Sequence, residues 1–300
     1  ANINLRKQTF PPIKIIGTGN ALPLTFDILI PSAQIKSAIM LSALNTNGTV
    51  KIKEFKTTRD HTENMLKSMK YNIKVKESSM HRFIELKNNK DLKTINYSVP
   101  GDPSSAAFLI CAACLKPGSR LIVRNMLFNK TRVGFIKTLK KMGGNIKIIS
   151  KRKIHNELIA DLIIEQKKSL NSTILEPVDI PLQVDEIPIL SVVASFANGL
   201  TIFKGLKELT VKESDRLLLI YENLREIGVT AEIKNYDLYI HGSCDLKKGS
   251  GYIKHNDDHR ILMSFYISNI ICKKNNIIKG KSCVKTSYPR FFKDISKFIN

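Results

Sequence analysis

The chain has 300 residues, an apolar fraction of 43% and no tryptophan, enough apolar material for one large domain or two, with no apolar run long enough to span a bilayer. The formal net charge of +22 fits three readings, ranked in order: compositional drift, because the excess Lys accompanies many Asn and Ile; attraction of small anions toward a cleft; and a nucleic-acid partner. The last ranks lowest because the lysines are spread along the chain, without a long basic block or an interleaved aromatic platform. The first residues, Ala1-Asn2-Ile3-Asn4, have no apolar core and no cleavage-type pattern of a signal peptide, so a cytoplasmic location is expected. The five cysteines (Cys111, Cys114, Cys244, Cys272, Cys283) are odd in number and scattered, which favours reduced thiols.

In chain order, PIKIIG and LTFDILI read as two strands that close an earlier unit. Four copies of one layout follow. Each opens with a small or polar start and an apolar helix: Ser32-Ala33-Gln34 into IKSAIMLSAL, Gly101-Asp102 into PSSAAFLICAACL, Asp185-Glu186 into IPILSVVASFA, and Asp258-His259-Arg260 into ILMSFYISNI. A turn and a short strand come next (NGTVKIKEF, PGSRLIVRNM, NGLTIFKGL, KKNNIIKGK). An Arg or Lys then precedes a second, amphipathic helix: RDHTENMLKSMK, TRVGFIKTLKKMG, KESDRLLLIYENLREIG and YPRFFKDISKFI. Two of these end in Gly, a normal helix stop. Strand pairs such as NIKVKES with RFIELK, and AEIKN with DLYIHG, close the first three copies. The unit is βαβαββ-like, the class is α/β (α+β), and the chain is expected to begin inside a repeat.

The first helix of each copy is almost wholly apolar and is expected to be buried. Its N-terminus, with free amide N–H groups and the positive end of the helix dipole, suits an anion. Taken singly, each polar motif has a structural explanation: Ser32 as an N-cap, Asp185 and Glu186 as a favourable helix start, Lys212 through Arg216 as a solvated charge run, and Asp258-His259-Arg260 as a surface cluster. Two features argue for more. The motifs fall at equivalent places in different copies, and together they form a complete set. Arg59, Lys212, Arg216 and Arg260 suit anions, Asp185 and Glu213 suit proton transfer, and Ser32 and Gln34 suit hydroxyl recognition. Glu213 and Arg216, three apart, share a helical face.

On these residues the chain resembles the 5-enolpyruvylshikimate-3-phosphate synthase (3-phosphoshikimate 1-carboxyvinyltransferase) family. PSAQIKSA, TRDHTENML, VPGDPSSAAF, VDEIPILSVVASFA, ELTVKESDRL, DHRILMS and TSYPRFF stand in the family's order across essentially the whole chain. The resemblance implies a two-domain fold of six βαβαββ units around buried helices, with about four present. Residues 1–95 would be the remainder of the first domain and 96–300 the second. The upstream units, with their Lys-Ser pair, Asn-Ala-Gly-Thr-type loop and Gly-Arg-Pro segment, would precede Ala1. The implied reaction transfers the enolpyruvyl group of phosphoenolpyruvate to the 5-hydroxyl of shikimate 3-phosphate and releases phosphate, as a step of the shikimate pathway to chorismate and the aromatic amino acids. It needs no metal and no cofactor.

The family's roles fall on this chain as follows. Ser32, Ala33, Gln34, Arg59, Asp185 and Lys212 would bind shikimate 3-phosphate. Gln34, Arg216 and Arg260 would bind phosphoenolpyruvate, and Asp185 and Glu213 would be catalytic. The partners would be these two small molecules alone, with neither nucleic acid nor membrane, and the protein a monomer. Departures from the family pattern are Val184 for Ile, Tyr288 for Phe and Val133 for Thr. The position of a Lys found in some members is Thr286 here, leaving Lys285 as a phosphate-binding candidate. Cys111-x-x-Cys114 sits in an apolar helix without a second ligand pair, which favours buried thiols over a metal site, and the histidines show no metal-ligand spacing. The competing functions are a sibling transferase acting on UDP-N-acetylglucosamine, against which the DHR and SAQ signatures speak, and an RNA-binding protein or inactive remnant of the same fold.

Overall fold

The computed structural model describes residues 2–6, 10–17, 21–55, 57–78, 81–88, 92–243, 251–272 and 277–299. Its contacts divide the chain into two compact units, Ala1–Tyr97 and Ser98–Asn300. Cys244 lies outside the described residues, as do 273–276 of the expected KKNNIIKGK strand. Among the described residues no helix is long and apolar enough to cross a membrane.

The first unit opens with an antiparallel hairpin of β1 (Asn2–Arg6) and β2 (Phe10–Ile16), which forms a two-stranded sheet by itself. One complete βαβαββ copy follows: β3 (Thr25–Ile28), α1 (Ala33–Ala43), β4 (Thr49–Glu54), α2 (His61–Ser68), β5 (Ile73–Glu77) and β6 (Arg82–Lys87). Its sheet has the order β3-β4-β6-β5, with β3 parallel to β4 and the other pairs antiparallel. The LTFDILI segment therefore opens the copy that contains α1 instead of closing an earlier one. A parallel first strand is what a strand-helix-strand crossover requires.

Period-two alternation decides the faces of this sheet. Val50, Ile52, Ile84 and Leu86 point inward and join Ile28, Met40, Ala43, Leu66 and Tyr71 in a small core. The same inward rows bring charge inside. Lys36 of α1 is fully buried, with its ammonium 3.0 Å from Glu54 Oε2 and 2.9 Å from Glu63 Oε1. Arg82 Nη2 lies 3.6 Å from Asp60 Oδ2 and 3.9 Å from Glu63 Oε1. Glu54 also accepts the Thr58 hydroxyl at 2.6 Å. Strand β4 and both helices are thus tied by ions as well as by apolar contact.

The second unit holds three further copies. The first has α3 (Pro103–Leu115), β7 (Arg120–Leu127), α4 (Gly134–Lys141), β8 (Ile146–Ile154) and β9 (Glu157–Glu165), with sheet order β7-β9-β8. Its opening strand is reduced to a parallel bridge between Gly101 and Met126. The second has β10 (Ile174–Leu175), α5 (Ile187–Ser195), β11 (Gly199–Phe203), α6 (Arg216–Glu226), β12 (Thr230–Lys234) and β13 (Asp237–Gly242), in the order β10-β11-β13-β12. The third has α7 (His259–Cys272) and α8 (Phe291–Ile299), with a parallel bridge from Tyr252 to Ile277 among the described residues. Gly143 and Gly228 follow α4 and α6 with φ of +95° and +87°. These are left-handed stops that residues other than glycine adopt at a cost.

Helices α3, α5 and α7 pack on one another at the centre of this unit. Every residue of α5 is buried, which its uniformly apolar sequence allows; Ser191 and Ser195 satisfy their hydroxyls on the carbonyls of Ile187 and Val192. The expectation of a buried first helix fails for α1, where only Lys36, Met40 and Ala43 are buried and Leu41 stays 54% exposed. The first unit has one copy of the repeat, so α1 lacks the equivalent helices that enclose α3, α5 and α7.

Replacing Lys36 with Ala would leave Glu54 buried without its ammonium partner and Glu63 with only the more distant Arg82. The expected cost is about 3–5 kcal/mol of first-unit stability. Urea unfolding, with hydrogen exchange followed in α1 and β4, measures this; unchanged protection there would contradict it.

Candidate active site

In the first unit Ser32 caps α1. Its backbone is extended, and its hydroxyl accepts the Ile35 N–H at 3.2 Å. Ala33 and Gln34 form the first turn, with Gln34 exposed. Arg59 is half-buried, just before α2, on a segment anchored by the Thr58–Glu54 hydrogen bond. The hydroxyls of Ser37 and Thr62 lie 2.6 Å apart, so α1 and α2 begin side by side.

In the second unit four helix starts meet through their side chains. Arg216, the first residue of α6, is among the largest fully buried side chains. Its Nε donates to Asp258 Oδ2 at 2.8 Å, its Nη1 to Asp185 Oδ1 at 3.4 Å and its Nη2 to Glu213 Oε2. Asp258 also accepts the Ser214 hydroxyl at 2.9 Å and, through Oδ1, the Arg260 N–H at 2.9 Å. It therefore caps α7 while holding Arg216. Arg260 returns across the cluster: Nη1 donates to the Asp185 carbonyl at 3.3 Å, and Nη2 lies 3.8 Å from Asp185 Oδ2. Asp185, Glu213, Arg216 and Arg260 are thus in direct contact, drawn from the starts of α5, α6 and α7.

The start of α3 joins by a second route. Asp102 accepts the Ser105 N–H at 2.8 Å and pairs with Arg132 Nη2 at 2.9 Å. Arg132 Nη2 also donates to Ser104 Oγ at 3.0 Å, and Ser104 donates to Glu186 Oε1 at 2.5 Å. Sequence reasoning read Glu186 as a helix start only and gave no role to Asp102, Ser104 or Arg132. The available signal was Asp102-Pro103-Ser104-Ser105, a cap followed by hydroxyls at the same place in the repeat as Asp185-Glu186.

The electrostatics follow from burial and pairing. Burial works to raise the Asp258 carboxyl, but the hydrogen bond and charge of Arg216, with Ser214, hold it below the usual carboxylate range. Asp102 is likewise held low: burial is outweighed by the charge of Arg132 and the Ser105 N–H. Glu186 goes the other way, raised by burial despite the Ser104 hydrogen bond and the charge of Arg260. His259 is lowered by burial and then by Arg260.

Not every expected residue points into this cluster. The Lys212 ammonium pairs with Glu208, one turn back in its own segment. Lys285 lies exposed in the 3-10 turn Lys281–Thr286. Cys111 and Cys114 are buried inside α3, and burial pushes the Cys114 thiol up to about 12, which disfavours thiolate chemistry. His255, Asp257 and Cys283 place potential ligand atoms within 4.8 Å of one another. However, His255 Nε2 contacts the Lys279 carbonyl at 2.6 Å and Nδ1 accepts the Asp257 N–H at 3.1 Å, so both ring nitrogens already serve to fasten the loop.

With this geometry in place, comparison with known proteins identifies the class. Residues 1–295 match the family model described as EPSP synthase (3-phosphoshikimate 1-carboxyvinyltransferase), and the chain belongs to that family. It is 39% identical over 286 residues to the 3-phosphoshikimate 1-carboxyvinyltransferase of Zymomonas mobilis, covering 93% of this chain and 62% of the relative. The Aquifex aeolicus protein of the same name is 37% identical, covering 96% of this chain and 66% of the relative. The chain thus spans under two thirds of the length of these curated relatives. An EPSP synthase structure from Acinetobacter baumannii superposes with a TM-score of 0.86 at 32% identity, covering 99% of this chain and 67% of that one. The enolpyruvyl transferase NikO from Streptomyces tendae shares the fold, with a TM-score of 0.70 at 14% identity.

The low Asp258 pKa gives a stability prediction with a definite sign. Its folded-state value lies below the unfolded value of about 3.9, so its contribution is fully present above that pH and is lost as pH falls toward the folded value. Asp258→Asn is expected to lower stability at neutral pH and to flatten the loss below about pH 4. Urea midpoints measured from pH 2.5 to 7 test both; an acid limb as steep as that of the parent chain would contradict the assignment.

Proposed function

We propose that this chain supplies part of an enzyme that transfers the enolpyruvyl group from phosphoenolpyruvate to the 5-hydroxyl of shikimate 3-phosphate and releases phosphate. The reaction belongs to the shikimate pathway, toward chorismate and the aromatic amino acids. The setting is cytoplasmic, the protein a monomer, and the partners in this reaction two small molecules with no cofactor. The observation that carries the reading is the continuous series of contacts from Glu213 to Arg216 to Asp185 to Arg260 at the starts of α5, α6 and α7.

The chemistry needs a base for the attacking hydroxyl, an acid for the methylene carbon of the donor, and cations facing the phosphate and carboxylate. Asp185 and Glu213 take the proton-transfer roles. Arg216 and Arg260 hold phosphoenolpyruvate with Gln34, while Ser32, Ala33, Gln34, Arg59 and Lys212 hold shikimate 3-phosphate together with Asp185. Glu213 is the partner of Arg216 best placed to give way to an incoming anion. Its side chain is 55% exposed, whereas Asp258 is fully buried and Asp185 is 16% exposed; returning an exposed carboxylate to water costs least. Once released from Arg216, Glu213 has a free oxygen for proton transfer. Lys212 reaches the acceptor by leaving Glu208, an exposed pair worth little.

A coupled phosphate-release assay tests the reading. It is run on the chain alone, which is expected to be nearly inactive, and on the chain joined to the stretch of a curated relative that it does not match. In the joined form, Asp185→Ala and Glu213→Ala are each expected to lower kcat on the order of 10²–10⁴-fold with little change in KM. Arg59→Ala is expected to raise the KM for shikimate 3-phosphate and spare kcat. Full turnover by the joined form with either carboxylate removed would refute the assigned roles.

A further inference from the structure

The outer face of the first unit's sheet carries a feature that the transferase reading does not use. Alternation that sends Val50, Ile52, Ile84 and Leu86 inward sends Lys51 and Lys53 of β4, Lys74 and Lys76 of β5, and Phe83, Glu85 and Lys87 of β6 outward. The register assembles these into rows. Phe83 sits between Lys53 and Lys76, and Glu85 between Lys51 and Lys74. Five lysines therefore share this face with two carboxylates, Glu85 and Asp27. In the sequence the same lysines look dispersed, because each is separated from the next by an inward residue and the aromatic comes from another strand.

Phe83, in the end row of this face, is 46% exposed. Its ring stacks with His81 at 15° between planes, with centroids 6.1 Å apart, and His81 in turn lies 4.8 Å from the ring of Phe55. The Lys53 ammonium stands over both phenyl rings, 4.8 Å from Phe55 and 5.8 Å from Phe83. Between the lysine rows is a cavity of about 360 Å³, within the range of roughly 300–1,000 Å³ of small-ligand sites. An open four-stranded sheet that presents an aromatic ring between cations has the recognition chemistry of single-stranded nucleic acid. Bases stack on the ring without regard to sequence, and the cations follow the phosphates. A protein partner would be expected to meet a more apolar patch core; here the surroundings of Phe83 are cationic.

We propose that this outer sheet face binds single-stranded nucleic acid, with a base stacked on Phe83 and phosphates held by Lys53 and Lys76 on one row and Lys51 and Lys74 on the next. The site lies within the first unit and is independent of the transferase chemistry.

Fluorescence anisotropy of a labelled twelve-nucleotide oligouridine with the full chain tests this. About four phosphates neutralised imply a log–log salt slope of about −3, so affinity is expected to fall roughly 50-fold between 50 and 200 mM KCl. Phe83→Leu is expected to weaken binding roughly tenfold with the slope unchanged, and Phe83→Tyr to retain it. Lys53→Gln with Lys76→Gln is expected to make the slope shallower by about 1.4. Lys137→Gln with Lys140→Gln, the same charge change on exposed positions of α4, is expected to leave binding unchanged. Three results would overturn the proposal. An equal loss in the α4 variant would mean net charge alone is sensed. Displacement by polyphosphate as effective as by unlabelled oligouridine would mean no base is read. Displacement by uridine monophosphate at equal nucleotide concentration would mean the face takes one nucleotide and not a strand.

Discussion

Burying the Arg216 guanidinium is the requirement around which the second unit is arranged. A cation removed from water must be matched by carboxylates in good geometry or it destabilises the fold by several kcal/mol. A guanidinium stays charged in proteins, so neutralisation is not an alternative to pairing. Its three carboxylates come from three different places: Asp258 before α7, Asp185 before α5 and Glu213 before α6. Satisfying one side chain therefore fixes the relative placement of three helix starts.

The repeat makes that requirement easy to meet. In each copy of the second unit the first helix is apolar enough to enter the core, so its polar start is left where the chain enters that core. Three such helices packed together bring three polar starts to one end. Two of these starts are capped by side chains, α3 by Asp102 and α7 by Asp258, and the same capping carboxylates hold Arg132 and Arg216. Capping and ion pairing are thus one structure, and the positive helix ends and the guanidinium groups face the same region.

Much of this was legible in the sequence because the physics is local and periodic. Four apolar stretches with polar starts, alternating strands, and Gly143 and Gly228 at helix ends are short-range signals, and the described elements follow them. The chemically complete set of Asp185, Glu213, Arg216 and Arg260 was legible for a second reason: equivalent positions in a repeat occupy equivalent places in space. What was hidden depended on partners distant in sequence. The exposure of α1 follows from the number of copies packed around it, and β3 was assigned to the wrong copy because one short strand carries no mark of its pairing direction. Arg132 reaching Asp102 and Ser104, Lys212 turning back to Glu208, and Lys53, Phe83 and Lys76 meeting in one row are likewise consequences of register and packing, which a linear pattern does not carry.

The two units use buried charge differently, and the contrast bears on where chemistry can occur. In the first unit Lys36 pairs with Glu54 and Glu63, all three almost completely inaccessible. No anion can reach that lysine without unfolding its surroundings, so its charge serves only to tie α1, α2 and β4 together. In the second unit the ion network is graded from inside to outside: Asp258 at 0%, Asp185 at 16% and Glu213 at 55% exposure around one arginine. Such a gradient lets the outermost carboxylate exchange while the inner two keep the cation in place. A site that must admit a charged substrate and still preserve its own geometry needs that asymmetry, and it is present at Arg216 but not at Lys36.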